Sequence, residues 1–160
     1  MKAAGIRELK KELGLRTHSE LMEICLNLAK FKKESKELLT YLLFESGNEE
    51  AYRDTIKEEI EERFKEINAS SYYYIKKGIR KILRETKKYI RYSKNKETEV
   101  ELLLYFCNQM VEFSPSIRRS SVLRGLLERE LASIKKKLEK LHEDLQYDYG
   151  NIILNLEEKL

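Results

Sequence analysis

Tryptophan is absent from this chain, and glycine, proline, cysteine and histidine are scarce: six, one, two and two among 160 residues. Scattered glycines exclude the phosphate-cradling P-loop and the dinucleotide fingerprint, which need glycines at close spacing so that backbone can approach phosphate. Neither CxxC nor HExxH occurs, and two histidines set far apart cannot form a usual zinc site unaided. No catalytic set, no metal and no cofactor is therefore expected, and the chain reads as a non-enzyme. No apolar run approaches the roughly 18 residues that span a bilayer, so no membrane partner is expected. The first residues, MKAAGIRELKKELG, lack the apolar core of a signal peptide, which makes cytoplasm the expected location. Cys25 and Cys107 sit inside apolar helical runs, where a thiol behaves as a small buried hydrophobe and a disulfide is not expected.

What is present is charge and helical periodicity. Charged residues make up 38% and the hydrophobic set 41%, a Leu/Ile/Glu/Lys-rich composition that specifies an all-α protein. A short helix over Ile6–Leu13 ends at Gly14. Thr17-His18-Ser19-Glu20 is a capping-box pattern, and it opens a helix with Leu21, Ile24, Cys25, Leu28 and Phe31 on one stripe. Further helices are expected at about 34–45, 49–67, 72–93 and 98–113. The one at 98–113 is apolar almost all round, which marks it as the centre of the fold. Ser114-Pro115-Ser116 stops it. A long seventh helix is expected from Arg118 to Tyr147, with Gly150 bending or breaking the chain beyond it. Paired up, these segments suggest a single domain over 1–160: helical hairpins in an irregular bundle or a short HEAT-like solenoid.

Between Lys76 and Lys96 ten lysines and arginines face one acid, Glu85, a net of +9 in a chain whose total is +4. Lys76, Arg80, Arg84, Lys87, Lys88 and Arg91 fall on overlapping outer rows of that helix. They are candidates for anion or nucleic-acid contact, each neutralised phosphate adding a salt-dependent increment. The preceding helix, Glu49 to Glu66, has eight acids and four bases, and antiparallel pairing with it is expected to answer much of that charge. Tyr72, Tyr73 and Tyr74 read as the edge of an amphipathic core rather than a stacking platform.

Three weaker leads remain. Glu139-Lys140-Leu141-His142 is a lone E-x-x-H on a helix, where di-iron bundles need two with further glutamates. Cys107 and His142 form a nucleophile–base pair only on paper, because a thiol in so apolar a segment stays protonated. Ser114–Ser121 combines hydroxyls, Arg118 and Arg119 with a helix start, which suits an anion, although a capped helix with solvated arginines is the simpler reading.

The run Glu101-Leu102-Leu103-Leu104-Tyr105-Phe106, continuing to Met110-Val111-Glu112-Phe113-Ser114, resembles an uncharacterised bacterial all-helical family, a domain of unknown function. The basic helix upstream and Glu8-Leu9-Lys10-Lys11-Glu12-Leu13 are similar in position. Where that family has a Gly-Trp-Gly-Phe-like segment, Gln146-Tyr147-Asp148-Tyr149-Gly150-Asn151 stands here. The resemblance implies an all-helical bacterial cytosolic fold and does not supply an activity. The expected function is thus a non-catalytic interaction or scaffold protein with a protein partner. The alternative is nucleic-acid or acidic-partner binding through 76–96.

Overall fold

A computed structural model describes residues 1–159 and is all-α, with eight α-helices and no strand among the described residues. The chain forms two compact units, Met1–Phe44 and Glu45–Leu160.

In the first unit, α1 (Ile6–Leu13) is followed by α2 (His18–Phe31) and α3 (Lys33–Thr40), whose end widens into a π-helical turn at Tyr41–Glu45. The predicted capping box is present: Thr17 Oγ1 accepts from Glu20 N–H at 3.2 Å, and Thr17 N–H donates to Glu20 Oε2 at 2.7 Å. That geometry satisfies two of the donors a helix start leaves orphaned, and the Thr17 hydrogen bonds hold the Glu20 carboxyl below its ordinary range. The apolar stripe of α2 is not a core, however. No residue of α2 is buried, Leu28, Phe31, Leu42, Leu43 and Phe44 are exposed, and Cys25, expected inside, is exposed too.

The second unit is a bundle around one helix. Asn48 caps α4 (Glu49–Lys65), its Oδ1 accepting from Ala51 N–H at 3.1 Å. After α5 (Tyr72–Ser93) the chain turns at Lys94, in left-handed geometry with φ 57°, and Asn95 caps α6 (Lys96–Glu112). A 3-10 turn at Ile117–Arg119 leads into α7 (Ser121–Leu138), and α8 (Glu143–Glu158) closes the unit. As predicted, α6 is central. It packs against α4, α5, α7 and α8, and Val100, Leu102, Leu103, Leu104, Phe106, Cys107 and Met110 are all buried. One helix touching four others makes a bundle, since in a solenoid each repeat meets only its neighbours. Around it, Tyr52, Ile56, Ile60 and Phe64 of α4 and Leu123, Leu127, Leu131, Ile134 and Leu138 of α7 turn inward.

The long seventh helix is two helices. Its break falls at Glu139–His142, and Gly150 lies inside α8 rather than ending a helix. The break is held by local bonds: His142 Nδ1 accepts from Asp144 N–H at 3.3 Å, and the Gln146 amide reaches back to the Leu141 carbonyl at 2.8 Å. Glycine matters at Gly78, where α5 passes Ile67. A Cβ there would stand 3.0 Å from Ile67 Cγ1. Gly78→Leu is expected to destabilise the fold by about 1–3 kcal/mol through overpacking, seen as a lower urea midpoint. An unchanged midpoint would show that α5 is not held this close to Ile67.

Candidate interaction surface

The basic helix α5 has two chemically distinct sides. Ile75, Ile79, Ile82, Leu83, Thr86 and Ile90 are buried and make it a wall of the bundle. The opposite side carries Tyr73, Lys76, Lys77, Arg80, Lys81 and Arg84, which line a concavity of about 510 Å³. These residues recur at three- and four-residue steps, so a single face of the helix presents them all. Lys77 and Lys81 belong to this face but fall outside the rows predicted from sequence. The inward stripe is narrow enough to leave more than half of the circumference for cations.

The acidic helix does not answer this charge. Among the described residues, Lys76, Lys77, Arg80, Lys81, Arg84 and Arg91 have no ion-pair or hydrogen-bond partner. Several carboxylates of α4 are engaged elsewhere. Glu61 and Glu62 pair with Lys65 of their own helix at 2.9 and 2.7 Å, and Glu59 accepts from Arg63 at 3.1 Å and from the Tyr89 hydroxyl at 2.8 Å. Across the hairpin an ion pair runs in the reverse sense, from Arg63 of α4 to Glu85 of α5 at 3.1 Å. The expected mutual neutralisation of 49–66 and 76–96 thus fails for these six cations.

The other predicted residues separate. Lys87 Nζ bonds Glu130 Oε1 of α7 at 2.7 Å, and Lys88 Nζ lies 4.9 Å from the centre of the Tyr89 ring. Arg118 donates to the Lys159 carbonyl, whereas Arg119 is exposed and without a partner among the described residues. The hydroxyls of Ser116 and Ser120 cap the 3-10 turn and α7, which agrees with the simpler reading of that segment. Tyr73 and Tyr74 are 65% and 47% exposed, their rings edge-on with centroids 5.3 Å apart. They are not a core edge. Only Tyr72 is tied in, its hydroxyl donating to the Ser116 carbonyl at 2.8 Å.

A second polar cluster escaped sequence reasoning. Arg53 and Lys57 of α4 meet Glu97 and Glu101 of α6, with Arg53 Nε 3.1 Å from Glu101 Oε2. The Tyr149 hydroxyl donates to Glu101 at 2.9 Å. Burial works to raise the Glu101 carboxyl, but hydrogen bonds from Lys57 and Tyr149 and the adjacent charges hold it below the usual range. Burial and Glu101 together push the Tyr149 hydroxyl up. The signal was there in two i,i+4 pairs of opposite sign, Arg53/Lys57 and Glu97/Glu101. Since its charges satisfy one another, this cluster is a structural tie between helices.

The residues of the two chemical leads lie in different settings. The Glu139–His142 motif lies at the break between α7 and α8 rather than on one helix. Cys107 is fully buried, and burial pushes its thiol up, away from the reactive thiolate. His142 is exposed and capping α8. Among the described residues no cluster of three or more His, Cys, Asp or Glu is placed to hold a metal ion, and no helix is long and apolar enough to cross a membrane. Comparison of the chain with family models, with curated proteins and with solved structures gives no match.

Proposed function

We propose that this chain is a non-catalytic helical interaction protein whose binding surface is the outer face of α5, taking a polyanionic or acidic partner. The observation that carries this reading is the row of unanswered cations from Lys76 to Arg84, beside an acidic helix none of whose carboxylates pairs with them. Cations that already have carboxylate partners contribute little to an external anion. These have none, and together they raise the local concentration of negative partners.

Retention on heparin across a salt gradient tests the reading. Arg80→Glu with Arg84→Glu is expected to shift elution to clearly lower salt and to weaken binding at least tenfold. Lys136→Glu with Lys140→Glu, an equal charge change at exposed positions on another part of the unit, is expected to do far less. Equal shifts from the two pairs would reduce the effect to net charge and remove the face as a site.

A further inference from the structure

Beside α5 runs a second source of positive charge. The Tyr72–Ser116 and Lys87–Glu130 bonds join the two segments at offsets of 44 and 43 residues. Offsets that differ by one residue between the two ends mean that they run parallel and nearly in step. Arg119 therefore stands level with Lys76. Arg129, exposed and without a partner among the described residues, folds its Nη1 toward Gly125, to 3.5 Å from where a Cβ there would sit. It is thereby level with the stretch from Lys81 to Arg84. Lys76, Arg80 and Arg84 are each one i,i+4 step apart, a rise of about 6 Å per step. This repeat is comparable with the phosphate-to-phosphate step of an unstacked sugar–phosphate chain.

At the N-terminal end of the row, Tyr73 lines the same concavity as the cations, with the exposed Tyr74 ring against it. An exposed aromatic at the end of a cationic track is the combination that binds unpaired bases, because every base has a face to stack. A duplex hides those faces, and an acidic peptide has no matching group for the rings. We infer that the α5 face binds single-stranded nucleic acid, its phosphates along Lys76–Arg84 flanked by Arg119 and Arg129, with a base on Tyr73. This inference rests on the α5 face being the binding surface.

Fluorescence anisotropy with a labelled oligothymidylate tests it, with a mixed-sequence duplex and heparin as competitors over a salt series. The wild-type protein should prefer the single strand, with log K falling against log salt at a slope of about −3.5 if five phosphates are neutralised. Tyr73→Ala with Tyr74→Ala should weaken the oligonucleotide roughly tenfold, with little change in slope or in heparin retention. Arg80→Glu with Arg84→Glu should weaken all three ligands. If the arginine pair matters and the tyrosine pair does not, or the duplex binds as well as the single strand, the surface stands and the single-strand inference falls, leaving a duplex or an acidic protein as the ligand. If the arginine pair changes nothing, the surface itself falls. Both tyrosines are exposed, and an unchanged urea midpoint separates lost stacking from lost fold.

Discussion

Phe106→Ala is expected to destabilise the second unit by about 3–5 kcal/mol, the range for truncating a fully buried aromatic. Phe106 has no exposed surface, and its ring centre is 5.7 Å from that of Phe64, which in turn is 6.1 Å from Phe113. The cavity would open where α6 meets α4, leaving Phe64 with Phe113 as its remaining tilted partner and the surrounding side chains only partly able to collapse. Against a typical total stability of about 5–15 kcal/mol, such a loss brings a unit at the low end of that range near its unfolding midpoint at room temperature. Urea denaturation followed by circular dichroism measures it. Phe31→Ala is the control: that ring is 80% exposed and its loss should cost no more than about 0.5 kcal/mol. Similar costs at both positions would contradict the central place of α6.

Lys87→Ala should destabilise by about 1–3 kcal/mol, far more than an exposed lysine is worth. Its partner Glu130 is buried on α7, and Glu130 Oε2 has no hydrogen-bond partner among the described residues. Removing the lysine leaves a carboxylate in an apolar setting with nothing to offset its lost hydration. The lysine end of the pair stays half-exposed, and water reaching that side keeps the cost below that of a fully enclosed pair. Replacing both partners, Lys87→Met with Glu130→Leu, should recover most of the loss, because apolar packing removes the uncompensated charge. The double variant thus separates a desolvation penalty from lost contacts of the lysine stem. If it is no more stable than Lys87→Ala, the desolvation account is wrong.

Periodicity made the second unit legible. Apolar residues at steps of three and four along α4 and α5 identify the buried faces because a helix packed on one side has to repeat that way, and α6 stood out because it repeats on every side. Exposure in the first unit was not legible. Leu28, Phe31 and Cys25 share a stripe, and a stripe shows which face is apolar without showing whether anything covers it. The break at Glu139–His142 was hidden for a different reason. It contains neither glycine nor proline, and a histidine ring nitrogen does the capping. The candidate face was half legible. Charge density pointed to α5, but the fate of each cation depends on how α4 and α5 are rotated about their axes. That rotation turns Glu59 to Tyr89 and Glu85 to Arg63, leaving the outer row alone.

That row carries a cost within the protein itself. Lys76–Arg80, Lys77–Lys81 and Arg80–Arg84 are like-charge neighbours at i,i+4, and each such pair weakens a helix by roughly 0.2–0.5 kcal/mol. Burial of the isoleucines on the other side keeps α5 helical against this repulsion. The repulsion is stored where solvent can reach it. An anion settling on the outer row relieves it, so whatever binds there also tightens the helix that holds it, and the wall of the bundle firms as the surface fills.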